Sequence, residues 1–400
     1  MGKVRYERRV SLVRVGKNVK EALKRALNLL SGIESVVSPG DVVLIKPNLC
    51  YPVKPESGAV AKPELIAALA ELSFEAGASR VIVGEAPIVG VKTQEVFREA
   101  GLDKVAREVG FKLVDLNSDK LVEVEVEGLS ASPFKIAKTA LKADVILNVP
   151  VLKTHILTGV TLGLKNMKGV IPESEKKRFH LIGLEQAIAE LNLVVQPSLT
   201  VVDGVIGQEG FGPIAGTPVK VGVLVVGRNP VAVDSVACRV MGFKPEKIKH
   251  IAKAAEIGVG TLETEVVGVP VKEVCRKFKN PEFKFEEFKG VKIHLGSPCS
   301  GCLGAVAIGL LRLKREGELE EVVKRLGGLN VYLGPHARPK PQEKHKNLVV
   351  GNCLRKHANE GFYVPGCPPI GFAIRDVVRL MLGLKPLVLS ERDLVQAQQH

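Results

Sequence analysis

ADVILNVPVLKTH, residues 143–155, opens on an apolar run, Val145-Ile146-Leu147, and reaches a proline at Pro150. A run of this length, rich in β-branched residues, reads as a strand buried on both faces. Such strands occur where helices cover both sides of a parallel sheet. Outward from it, RVSLVRV (9–15), DVVLIKP (41–47), SRVIVGEAP (79–87), FKLVDLN (111–117), LTVVDGV (199–205) and VKVGVLVVG (219–227) read as further strands. Helical spacing predicts helices over 18–31, 62–78 (closing at Gly77), 93–101, 102–110, 184–195, 230–241 and 244–257. LVEVEVEG (121–128) alternates strictly and reads as a half-exposed edge strand. The alternation predicts an α/β fold with a mainly parallel, doubly wound sheet. Ligands of such sheets sit beyond the C-terminal ends of strands. KPN, GEAP, VPVLKTH and DGVIGQEGFGP read as polar loops after strands, converging on one edge.

The chain has 400 residues, too many for one ordinary core. Trp is absent and aromatics make up 4%, so the core must be built from Val, Leu, Ile and Ala. The charged stretch 272–290 reads as a linker, which places an α/β domain over 1–285 and a smaller C-terminal α/β metal-binding domain over 286–400. In the second domain VKIHLG, LNVYLGP and NLVVG read as strands and IGFAIRDVVRLMLG as a last helix. Many Lys, Arg and Glu with few Gln fit a thermophile. The formal charge of +14 fits either a basic surface or an anionic partner. Nucleic acid is disfavoured, because single-strand binders interleave basic residues with aromatic platforms that this chain lacks. The N-terminal segment has no apolar signal-peptide core, and no uncharged apolar run reaches the ~18 residues of a membrane span. The expected location is the cytoplasm, where seven cysteines are reduced thiols or metal ligands.

Four cysteines stand apart. Cys299 and Cys302 form a C-x-x-C pair in SPCSGCLG, Cys353 follows a predicted strand in VVGNC, and Cys367 precedes a predicted helix in VPGCPPIG. Each lies in a Gly- or Pro-containing loop at an element boundary, where several strand ends can bring thiolates to one centre. Buried apolar cysteine is the plain alternative. It suits Cys238, on an apolar helix, but not these four. With only one compact pair, they point to a [4Fe–4S] cluster, with a four-cysteine structural zinc as runner-up. His294, His336, His345 and His357 are nearby substitutes, each more ordinary as a surface histidine. Cys50 and Cys275 have no assignment.

The other dense chemistry lies in 149–180, with Lys153, His155, Lys165, Asn166, Lys168 and His180 among glycines and threonines. Gly admits backbone N–H groups, Thr adds hydroxyls and Lys adds charge, so the segment reads as an anion pocket. It is neither a Walker A motif nor a G-x-G-x-x-G fingerprint. Lys46 and Asn48 add a cation and an amide, while Asp203, Glu209 and Asp234 offer carboxylates as base, metal ligand or lysine partner. Asp234 also reads as a helix cap. Lys176, Lys177 and Arg178 read as solvated surface charge.

IKPNL, ADVILNVPVLKTH, GLKNMKGVIP, VVDGVIGQEGFGP and NPVAVDSVACRVMG together resemble, in order, the motifs of domain-of-unknown-function family 362, over about residues 40–245. The resemblance implies the α/β domain, its pocket and an iron–sulfur cluster, but no settled reaction. GCPP is similar to the cluster-binding small subunits of hydrogenases and respiratory complex I. His155, Lys165 and His180 fall where the nickel-pincer lactate racemase family has residues that hold its cofactor and move protons. That fainter resemblance implies a pocket position rather than nickel.

The expectation is therefore an iron–sulfur protein and redox-type enzyme. His155, Lys153, Lys165 and Asp203 are its candidate catalytic residues. A small anionic substrate would be bound by Lys46, Asn48, Asn166, Lys168, His180, Glu209 and Asp234, and an electron-transfer protein is the other expected partner. The competing expectations are a non-redox isomerase or lyase with a structural cluster, a non-catalytic electron carrier, and a zinc-stabilised binding module.

Overall fold

The computed structural model describes residues 7–280, 284–369 and 371–387. Residues 1–6 of the N-terminal segment, 281–283 of the expected linker and Ile370 at the head of the expected last helix lie outside them. The chain divides into two compact units, Met1–Pro281 and Glu282–His400, a few residues before the expected boundary.

In the first unit the order is β1 (Arg9–Arg14), α1 (Val19–Asn28), β2 (Val42–Pro47), α2 (Pro63–Glu75), β3 (Arg80–Glu85), α3 (Thr93–Glu99), α4 (Leu102–Val109) and β4 (Lys112–Asp115). There follow β5 (Leu121–Val124), β6 (Phe134–Ala137), α5 (Lys138–Lys142), β7 (Val145–Val149), β8 (Val151–His155), β9 (Gly159–Val160) and α6 (Leu162–Asn166). The unit ends with α7 (Glu173–Ile182), α8 (Leu184–Val194), β10 (Leu199–Glu209), β11 (Thr217–Gly227), α9 (Pro230–Val240), α10 (Lys249–Glu256), β12 (Glu265–Gly268) and α11 (Val271–Val274).

The main sheet runs β12-β1-β11-β10-β7-β2-β3-β4, with β8 beside β10 and β9 beside β8. Pairing is parallel from β10 through β7, β2 and β3 to β4. Strand β11 is antiparallel to both neighbours. A short loop joins β10 to β11, which an antiparallel pair allows and a parallel pair does not. Alternate residues feed separate cores, as a strand covered on both faces requires. Val43 and Ile45 enter the core with α1 and α2, whereas Leu44 and Ile146 enter the core with α8 and α9.

Three expectations change. VPVLKTH is not a loop: Val151–His155 is strand β8, buried throughout and paired with β10 and β9. DGVIGQEGFGP is largely strand, because β10 continues to Glu209 beside both β8 and β11. LVEVEVEG does not edge the main sheet. Its half-exposed β5 pairs with the unpredicted β6 in a two-stranded ribbon.

The second unit contains β13 (Val291–Leu295), α12 (Ser300–Arg315), α13 (Glu318–Leu326), β14 (Leu329–Leu333), β15 (Asn347–Val350), β16 (Phe362–Val364) and α14 (Gly371–Met381). Its four strands pair in sequence order, all parallel. Among the described residues no helix is long and apolar enough to cross a membrane.

Candidate functional site

The polar residues of the first unit converge at the C-terminal ends of β2, β7 and β3. Lys46 near the end of β2 stands in register with Asn148 near the end of β7, and Glu85 is the last residue of β3. Asn148 donates to the carbonyl of Gly163 at 3.0 Å and accepts from the Asn166 amide at 2.8 Å, which fixes α6 over the strand ends. Asn166 accepts from Asn48 at 2.8 Å, and Asn48 accepts from Lys153 Nζ at 2.8 Å. Buried amides in such a chain are stable only when saturated, so the network specifies one arrangement.

Asp234, from α9, accepts the Gly163 and Leu164 N–H groups at 2.7 and 2.9 Å. It caps α6, the second of the roles read for it, and burial raises its carboxyl to about 7. Gly163 is required there, since a Cβ would lie 2.8 Å from Asp234 Oδ1. Gly169 is tighter still: a Cβ would meet Glu85 Oε1 at 2.0 Å and Lys46 Cε at 2.1 Å.

The pocket above this network is lined by Cys50, Glu85, Lys153, His155, Thr161, Lys165, Lys168 and Lys176, with apolar and backbone walls. Water-sized spheres can occupy about 100 Å³ of it. At roughly 10–15 Å³ per water, that is room for about seven to ten water-sized atoms, a small ligand.

Its lysines are not equivalent. Lys46 lies behind the wall, fully buried, and donates to Glu85 at 2.9 Å and the Pro47 carbonyl at 2.6 Å. Glu85 also accepts from the Leu49 and Ala86 N–H groups. Burial pushes Lys46 down and Glu85 up, and their contact opposes both shifts. Lys153 donates to the Ala59 carbonyl at 2.6 Å, Asn48 at 2.8 Å, Cys50 Sγ at 3.3 Å and the Pro213 carbonyl at 3.3 Å. All its hydrogens are committed. Lys176 donates to the Ala86 and Pro87 carbonyls at 2.6 and 2.8 Å, and burial lowers it to about 7. Its reading as surface charge is overturned: α7 turns it inward, 6% exposed, while Lys177 and Arg178 remain half-buried.

Lys165 and Lys168 differ from these three. Among the described residues neither has a hydrogen-bond partner or a carboxylate within ion-pair distance, and Lys168 only approaches the Phe179 ring at 5.9 Å. Burial, reinforced by the Lys153 ammonium, lowers Lys165 to about 7. Burial and Lys165 take Lys168 well below the usual lysine range.

His155, 6% exposed, accepts from the Leu157 N–H through Nδ1 at 3.1 Å. Its proton is therefore on Nε2, which has no partner among the described residues. Burial and then Lys165 hold the ring well below its normal range. At neutral pH His155 is a hydrogen-bond donor and not a cation. His180 is lowered to about 2 by burial and Lys168. Among the described residues the buried Thr161 hydroxyl also lacks a partner.

Two predicted residues lie elsewhere. Asp203 accepts from the Lys62 and Val205 N–H groups at 2.9 and 3.0 Å, which secures the entry to α2. Glu209 accepts from the Lys279 N–H at 3.0 Å. Neither lines the pocket; strand β10, read as strand only over 199–205, runs on to Glu209. Sequence reasoning did not name Glu85, Thr161 or Asn148 and left Cys50 unassigned. Asn148 was the most visible, the one polar residue inside the apolar stretch of ADVILNVP.

In the second unit the cysteines follow the strand ends. Cys299 comes just after β13, Cys353 just after β15 and Cys367 just after β16. Cys302 sits in the first turn of α12 and is hydrogen-bonded to Cys299. The loops are stitched together: Gly351 N–H donates to Val364, Asn352 N–H to the Gly366 carbonyl, and Gly366 N–H to Asn352 Oδ1 at 2.7 Å. A Cβ on Gly351 would lie 3.1 Å from Cys302 Sγ and 3.8 Å from Cys353 Sγ, so its absence leaves a gap between these sulfurs. The contact with Cys302 lowers Cys299 to about 6, whereas burial pushes Cys353 up. Among the described residues no group of three or more His, Cys, Asp or Glu side chains is arranged to hold a single metal ion. His294 instead stacks on Tyr332 at 4.2 Å and His357 contacts Glu360 at 2.7 Å. Cys238 is fully buried in α9, as expected.

Fold and site define an α/β protein with a mostly parallel sheet and a small lysine-lined pocket at its strand ends. Residues 43–239 match the family described as Domain of unknown function (DUF362). The match runs from β2 into α9, so it contains the pocket residues and none of the C-terminal cysteines. Thylakoid-associated protein sll1697 of Synechocystis sp. is 28% identical over 270 residues, covering 65% of this chain and 83% of the relative. These likenesses agree with the family resemblance read from the motifs. They carry neither the cluster nor the racemase resemblance.

Proposed function

We propose that this chain is an iron–sulfur protein, an oxidoreductase-like cytoplasmic enzyme acting on a small anion held in the lysine–histidine pocket. The observation that carries the reading is that Cys299, Cys353 and Cys367 each leave the C-terminal end of a strand in one parallel sheet, with Cys302 bonded to Cys299. Two of the thiols, Cys302 and Cys353, flank Gly351, and four thiols spread over three loops suit a multi-atom cluster better than one ion. When bound, such a cluster supplies one-electron chemistry, and an electron-transfer protein would be its partner. The anion is favoured by Lys165 and Lys168, two cation-forming groups with no carboxylate against them. Acid–base work falls to Lys165, whose pKa of about 7 is matched to neutral pH, in preference to His155.

Anaerobic purification tests the reading. The protein should be brown with about four irons per chain. Replacing Cys299 or Cys367 by Ser should bleach it and leave sulfate binding at the pocket intact. A colourless protein holding one zinc per chain would defeat the cluster.

The pocket also favours a second reading, a non-redox isomerase or lyase with a structural cluster. Among the described residues its free groups are two amines, a neutral imidazole and a hydroxyl, which move protons and not electrons. A cluster whose potential does not respond to a pocket ligand would select this second reading.

A further inference from the structure

We infer that Lys165 is a nucleophilic amine that condenses with the carbonyl carbon of a small oxo acid. This rests on the reading of the pocket as an anion site and names the substrate class.

Three observations carry it. First, Lys165 lines the pocket with no hydrogen-bond partner among the described residues, whereas Lys153 and Lys176 are tied to carbonyls. An amine whose nitrogen is not engaged is free to attack. Second, the Thr161 hydroxyl and His155 Nε2 line the same pocket on side chains more than nine-tenths buried, and neither atom has a hydrogen-bond partner among the described residues. Buried donors without partners are costly in an empty pocket and are satisfied by a ligand's oxygens. Third, the pocket takes only a small ligand, and Lys168 stands beside Lys165 as the remaining unpaired charge-forming group. Two oxygen-seeking donors, an anion-seeking lysine and a free amine match a ligand with a carboxylate and a ketone or aldehyde. A bare inorganic anion would leave the amine unused. The lowered pKa of Lys165 agrees, since about half of it is free base near pH 7.

The step balances without a redox partner. The Nζ lone pair forms the C–N bond while the carbonyl π pair moves to oxygen. The nitrogen loses one proton as the oxygen gains one, giving the carbinolamine. A second proton, from solvent, converts the hydroxyl to water, which leaves as the nitrogen lone pair closes the C=N bond. The net change is amine plus carbonyl plus one proton giving protonated imine plus water.

The test uses the full chain with pyruvate as probe and borohydride as trap at pH 7, with adducts located by peptide mass spectrometry. Lys165 should be reduced to its secondary amine about a hundredfold or more faster than an exposed lysine such as Lys104. Acetone, neutral and of similar size, should label it far less. Calorimetry with sulfate on the same protein separates the two ideas. If sulfate binds and Lys165 is labelled no faster than Lys104, the nucleophile is wrong and the anion pocket stands. If neither occurs, both fall. Equal labelling by acetone and pyruvate would overturn the oxo acid as the substrate class.

Discussion

Lysines with the same side chain serve opposite ends in this pocket, and the difference lies in what each nitrogen already touches. Lys46 and Lys153 are spent on Glu85, Asn48 and backbone carbonyls. Lys165 is left with its charge buried and unopposed. The sequence made all three candidates, because Lys among Gly and Thr is visible in one dimension. It could not rank them, since the acceptors of Lys153 come from Ala59 and Pro213, far along the chain. Lys176 was misread for the same reason: KKR looks solvated until α7 is placed. The uncompensated lysine has a thermodynamic signature. Its folded pKa, about 7, lies below the unfolded value of about 10.4, so between those limits the unfolded state binds more protons and stability rises with pH. Lys165→Met should therefore be more stable than wild type at pH 7, by about 1–3 kcal/mol. The advantage should shrink toward pH 10, as urea midpoints at both pH values would show. A constant difference would mean that packing, and not charge, separates the two proteins. Sulfate affinity should move the other way, falling as pH rises through about 7 while Lys165 loses its proton.

At the scale of elements, the strands were legible because their apolar runs are continuous, and the helices because theirs are spaced. The segments beyond the strand ends were harder to read. Polar residues after an apolar run look like loop, yet Lys153, Thr154 and His155 stay in strand β8 because β9 and β10 supply partners for the backbone. The same error placed Glu209 at the site. Helix α6 shows the converse. Five residues cannot hold a helix by propensity alone, so its position depends on tertiary anchors. Asp234 is the principal one, with two short hydrogen bonds to its first N–H groups. Asp234→Ala should leave both donors buried and unpaired, costing about 2–4 kcal/mol. Because α6 carries Lys165 and Asn166, the variant should also weaken sulfate binding. Denaturant unfolding and calorimetry would check the two effects. Unchanged stability would remove the cap from the account, and unchanged affinity would show that Asn148 and Asn166 alone position the helix.

For the whole molecule, the division into two units follows from two separate packing problems. The first unit surrounds its sheet with two extensive apolar cores, while the second has its own cluster around Tyr332, Val349 and Leu354. The charged stretch 272–290 marked the join in the sequence, although Val274 and Phe278 within it pack into the first unit's core. The placement of the cysteines beyond strand ends was also foreseeable, since all four were seen at element boundaries. That the strands behind them pair in sequence order was not, as β16 is only three residues long and carries too little periodicity to predict. The pocket and the cysteines thus belong to different units, and their functions are separable in principle. A chain ending at residue 281 retains every element of the main sheet and every residue named in the pocket. It should unfold cooperatively in urea, bind sulfate within about threefold of the full chain, and purify colourless under conditions in which the full chain is brown. About threefold is ~0.7 kcal/mol, within the scatter expected when no direct contact is removed. Loss of sulfate binding in a fragment that still unfolds cooperatively would show that the C-terminal unit completes the anion site. A brown fragment would move the cluster away from Cys299, Cys302, Cys353 and Cys367 to Cys50, Cys238 or Cys275, the only other cysteines in the chain.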